Sequence, residues 1–97
     1  MIVTAHPLAG QELAGAAIHY ASEGGPHLRE RFLAEFERCV ALLRSHPSLG
    51  SPWHGQLRRL PLRRFPYSVV YAVSADELRI LAVVHHRRRP GYWSGRT

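Results

Sequence analysis

The chain has 97 residues, one domain's length and enough for a single core with the modest margin of small domains. At 45% hydrophobic and 21% charged it reads as an ordinary soluble globule. No apolar run nears the roughly 18 residues that span a bilayer, and the Met1–Ala5 start lacks the basic-then-apolar pattern of a secretory signal. The net charge is +6, and the lone cysteine, Cys39, excludes an internal disulfide and a multi-cysteine metal site, which fits a reducing cytoplasm.

The charge is unevenly placed. Residues 1–57 carry four Arg against five Glu, whereas residues 58–97 carry nine Arg against Asp76 and Glu77. All thirteen basic residues are Arg and none is Lys. Arginine's planar fork suits phosphate, carboxylate and aromatic faces, and it rarely gives up its proton. An Arg-only composition can reflect codon bias, but codon bias does not explain the asymmetry. That points to a polyanionic or acidic partner on one side of the fold.

In chain order, residues 2–5 form a short β-prone run halted by Pro7. Residues 8–23 predict a helix, because Leu13, Ala16, Ala17 and Tyr20 recur at i, i+3, i+4 and i+7. Gly24-Gly25-Pro26 reads as a break. Residues 27–45 predict a second helix with Leu28, Phe32, Phe36, Cys39, Val40 and Leu43 on its apolar stripe. Arg31 and Glu35 make an i, i+4 pair on its wet side. Two helices after one strand predict an antiparallel helical hairpin.

Residues 46–52 are a loop by composition, and then the period changes. Residues 57–65 (LRRLPLRRF) alternate, with Leu60 and Leu62 on one face and Arg59, Arg63 and Phe65 on the other. Pro61 inside that run marks an edge or bulged strand. Residues 67–74 and 78–85 predict two further strands around a tight connection at 74–77, and short connections favour an antiparallel meander. The expected fold is α+β, a single domain over 1–97 in the order β-α-α-β-β-β, with a two-helix hairpin packed on a small antiparallel sheet. Residues 86–97 are left as a basic, aromatic tail.

Few motifs carry chemistry. No glycine-rich loop joins a strand to a helix at phosphate-binding spacing. His85-His86 is not a metal site, since adjacent strand residues point to opposite faces and no spaced acidic or Cys partners follow. Cys39 lies in an apolar stripe and reads as packing. Arg59, Arg63 and Phe65 on one strand face, with Arg64 beside them, read either as a phosphate clamp with an aromatic platform or as a solvated, charge-blocked edge. His85 is either a satisfied interior histidine or an acid–base group, given its unperturbed pKa near 6.5. Arg87-Arg88-Arg89 are a solvated run or a docking patch. Tyr92 and Trp93 fold back over the sheet, stack on a base or insert in a partner.

The string RRLPLRRFPYSVVYAV, a short acidic turn and LRILAVVHHRRRPGYW resemble the RelE/ParE superfamily of toxins from bacterial type II toxin–antitoxin modules. The upstream ELAGAAIHYASE and RFLAEFERCVALLRSHPSLG segments fit as well, so the resemblance spans nearly the whole chain. It implies the same fold and a small cognate antitoxin that is often acidic where it meets the basic face. RelE-like members enter the ribosome and cut mRNA without a metal. ParE-like members inhibit DNA gyrase and need no catalytic site. The lack of Lys departs from RelE, and the Phe65-Pro66-Tyr67 strand and the Pro-Gly-Tyr-Trp ending look closer to ParE. A RelE-like mechanism would rest on Arg63, Arg64, His85 and Tyr92, with Arg79 able to join them. Binding to target or antitoxin would involve Arg59, Arg63, Arg64, Phe65, Arg79, Arg87, Arg88, Arg89, Tyr92 and Trp93. No cofactor, metal or membrane is implied.

Overall fold

The computed structural model describes residues 1–97. Strand β1 (Ile2–Ala5) leads into helix α1 (Pro7–Ser45), followed by β2 (Ser51–Pro52), β3 (Arg58–Pro61), β4 (Tyr67–Val73) and β5 (Glu77–His85). No helix is long and apolar enough to cross a membrane.

Helix α1 starts where Pro7 supplies a preset φ and where His6 Nδ1 accepts from the Leu8 N–H at 3.1 Å. The expected break at Gly24-Gly25-Pro26 is a kink within α1, carried by the single non-helical residue Gly25 at φ 76° and ψ −171°. That conformation is open in practice only to glycine. A straight run of 39 residues would be about 58 Å long, yet the longest dimension of the molecule is 39 Å, so α1 bends sharply there. Tyr20 and Phe32, held ~18 Å apart by straight helix, stack across the bend at 5.0 Å.

The five strands form one sheet in the order β1-β5-β4-β3-β2. The expected antiparallel sheet is corrected to a mixed one: β1 runs parallel to β5, with Ile2 opposite Glu77 and Ala5 opposite Ile80. The long α1 crossover makes that pairing possible. The remaining pairs are antiparallel, and two residues of the expected 46–52 loop form β2. The predicted 57–65 strand is shorter than its alternation suggested. Pro61 is its last residue, past the two positions that β2 covers, and residues 63–66 form a bend.

A β-bulge separates the two halves of the β4–β5 ladder. Val70 opposes Ala82 while Tyr71 opposes Ile80, so Leu81 is the extra residue. The bulge shifts the in–out alternation of β5. Leu78 and Ile80 join the helix-side core with Ala9, Ala16, Ala17, Phe32, Cys39, Leu43, Val69 and Tyr71. Ala82 and Val84 instead join Val70 and Trp93 on the opposite face. Both faces of β4 and β5 are therefore covered, one by α1 and the other by the segment after β5.

Candidate functional site

The segment predicted as a tail is a structured cap. Trp93 is 3% exposed and packs on Val70, Ala82 and Val84, with Trp53, Leu57 and Tyr92 around it. Of the three readings for Trp93, folding back over the sheet is the one observed. Two turns, Arg88 N–H to His85 O and Ser94 N–H to Gly91 O, bring it there, and Gly91 takes φ 85°.

A five-group network ties this cap to α1 and β5. Glu12 Oε1 accepts from the Val83 N–H at 3.0 Å and from Arg96 Nη1 at 2.9 Å. Its Oε2 accepts from the Tyr92 hydroxyl at 2.7 Å. Arg96 also donates to Leu81 O at 3.0 Å. The backbone groups of Leu81 and Val83 lie where β1 has ended, so two side chains complete the ladder that the missing strand leaves open. Burial works against the Glu12 charge, but Arg96, Tyr92 and Val83 outweigh it and hold the carboxyl below its usual range. Burial and the Glu12 carboxylate push the Tyr92 hydroxyl well above the usual phenol range. Tyr92 is an anchored donor to Glu12.

Sequence reasoning missed Glu12 and Arg96. Glu12 sits among small and apolar residues on a helix and looks like a wet-side acid. Its partners are 71 to 84 positions away, beyond the reach of any local pattern.

The expected catalytic residues fall into two groups. Arg63 and Arg64 lie on the 63–66 bend and line a shallow cleft of about 390 Å³ with Arg31, Glu35 and Arg38. His85 and Tyr92 line a different cleft of about 280 Å³ with Glu12, Tyr67 and Arg88. His85 stacks edge-on against Tyr67 at 4.9 Å. Burial, with Arg87, His86 and His19 nearby, lowers its pKa from 6.5. Arg79 is separate from both groups, bonded to Thr4 Oγ1 and Thr97 O.

The shared face for Arg59, Arg63 and Phe65 is corrected, because only Arg59 remains on the strand. Its guanidinium lies 4.4 Å over the Trp53 ring. Phe65 is turned into the helix-side core, 9% exposed, with its ring 5.0 Å from Tyr20 and 5.3 Å from Phe32. What remains at the surface lines the cleft beside Arg63 and Arg64. Arg64 takes a left-handed φ of 66°, which tips the chain inward so that Phe65 can insert.

The cleft beside Arg63 and Arg64 is held by Glu35. That carboxylate takes two bonds of 2.7 Å from Arg38 and one of 2.7 Å from the Arg63 N–H. Arg38 is therefore its partner, in place of the expected Arg31. The Arg38 bonds outweigh burial and, with the Arg63 N–H, bring Glu35 down to about 2. Cys39 is buried beneath it, and burial beside that charge pushes its thiol up to about 11. The cysteine is packing, not a nucleophile.

Arg87, Arg88 and Arg89 are exposed on the turn after β5, with Arg88 4.2 Å over the Tyr92 ring. No cluster of His, Cys, Asp and Glu is arranged to hold a metal. The arrangement offers arginine donors on a rigid frame.

A family model described as the ParE toxin of type II toxin–antitoxin systems, parDE, matches residues 3–90. The chain is also similar in fold to a solved structure described as the chromosomal ParDE TA system from P. aeruginosa. The TM-score is 0.78 at 24% identity, covering 88% of this chain and 95% of that one. Among curated proteins, none matches.

Proposed function

Since this chain belongs to the ParE toxin family of type II toxin–antitoxin systems, we propose that it arrests growth by binding DNA gyrase in the cytoplasm until its antitoxin covers it. A ParDE-type module implies a cognate antitoxin as partner. The reading is of a binding inhibitor, with the basic surface of Arg59 and Arg87–Arg89 meeting antitoxin or target. The observation that carries it is the Tyr92 hydroxyl. It is bonded to Glu12, on a different cleft from Arg63 and Arg64, so Arg63, Arg64, His85 and Tyr92 do not share one cleft.

The test pairs two assays on one preparation. The expected outcome is loss of gyrase supercoiling with intact mRNA in a purified ribosome translation reaction, read by primer extension. Cuts at A-site codons with unimpaired supercoiling would sink the gyrase reading. Replacing Arg87, Arg88 and Arg89 together by Gln leaves the fold intact, because all three are exposed. The half-inhibitory concentration should then rise at least about tenfold, more steeply at low salt.

A further inference from the structure

On the sheet face away from α1, a small cavity of about 50 Å³ is lined by Trp53, Arg59, Ser68, His86, Arg88 and Trp93, with four neighbours and no carboxylate among them. Three of its side chains, Trp53, Arg59 and Arg88, can only donate. The Trp53 Nε1–H is buried and has no acceptor in the chain. A buried donor left unpaired costs roughly 1–3 kcal/mol, so it calls for an acceptor from outside. Ser68 Oγ and His86 Nε2 are paired with each other at 2.9 Å.

Two guanidiniums line the same cavity. Arg59 is held 4.4 Å over Trp53 and Arg88 is held 4.2 Å over Tyr92. Neither takes part in the two ion pairs of the molecule, Arg38–Glu35 and Arg96–Glu12. The aromatic contact restrains each guanidinium while its N–H groups have no other partner in the chain, which lowers the side-chain freedom lost when an anion arrives. Two fixed positive charges match the −1.5 to −2 charge of a phosphate monoester near pH 7 better than the single charge of a carboxylate or phosphodiester. We propose that this cavity is a receptor for a phosphate monoester. Trp53 Nε1–H, Arg59 and Arg88 donate to its oxygens, and Ser68 and His86 form the wall. The site is independent of whether gyrase is the target.

The test uses ¹⁵N-labelled full-length protein and follows the two indole N–H signals, assigned with Trp53→Phe. Inorganic phosphate is titrated at constant ionic strength, with sodium acetate and sodium chloride as parallel arms. The expected result is a saturable downfield movement of the Trp53 signal with phosphate and none with acetate or chloride. Arg59→Gln and Arg88→Gln should each weaken phosphate binding by about tenfold, the scale of one lost charge-assisted contact. Either variant suffices if the other misfolds, as judged by its backbone amide spectrum. No saturable movement would overturn the proposal, and the N–H would then be met by water alone. Equal response to acetate, or affinity unchanged in a folded Arg variant, would overturn it too.

Discussion

At the scale of single residues, the two half-buried carboxylates do the most structural work. Glu12 and Arg96 have side chains 18% and 12% exposed. Removing the acid strands a near-buried cation, the Tyr92 hydroxyl and the Val83 N–H together. Glu12→Ala should lower unfolding stability by about 3–5 kcal/mol in urea titrations, whereas Arg96→Leu should cost less. Glu35 gives a pH dependence. Its carboxyl sits at about 2 in the fold against an ordinary 4.5, so the unfolded chain takes up its proton first as pH falls. The stabilisation is fully present above about pH 5 and is lost progressively toward pH 2. A Glu35→Gln variant should start less stable at pH 7 and show a flatter decline between pH 5 and 2. An unchanged slope would remove Glu35 as its source.

At the scale of elements, the bend in α1 rests on one residue. Gly25→Ala should cost about 1–3 kcal/mol, because alanine is strained at φ 76° and ψ −171°. Gly24→Ala would bring a methyl within 2.9 Å of Leu28 Cβ, which cannot rotate away, so it should destabilise the bend as well. The Gly24-Gly25-Pro26 string announced a break, but which residue leaves the helix depends on how Tyr20, Phe32 and Phe65 pack across it. β4 and β5 were legible because their runs are β-branched and continuous. The parallel partner of β1 was not, since it lies some 75 positions away. Nor was the bulge at Leu81, because sequence alternation gives no sign of one extra residue. The segment after β5 changes how the protein should be dissected. Deleting 86–97 bares Val70, Ala82 and Val84, so a truncated chain should aggregate. Trp93→Ala alone should cost about 3–5 kcal/mol by thermal melt.

At the scale of the whole molecule, the +6 charge is carried by the part of the chain beyond residue 57. Arg58, Arg79 and Arg96 turn inward to bond carbonyls or hydroxyls of their own chain, so the count of nine overstates what a partner meets. The free remainder sits on β3, the 63–66 bend and the turn after β5. Sequence located these arginines, but only the fold separates the structural from the available. Antitoxin association should slow several-fold between about 50 and 200 mM salt if these free charges steer it, and stopped-flow mixing reads this directly.

The clasp between Glu12 and Arg96 joins positions 84 apart, and it seats the cap that closes the second sheet face. A nascent chain cannot form that clasp until residue 96 has left the ribosome tunnel. β5 can pair with β1 and β4 earlier, but Val70, Ala82 and Val84 stay uncovered meanwhile. Translation therefore imposes an interval in which the protein is made but unfinished. During that interval the uncovered apolar face is the part of the sheet most open to unwanted association.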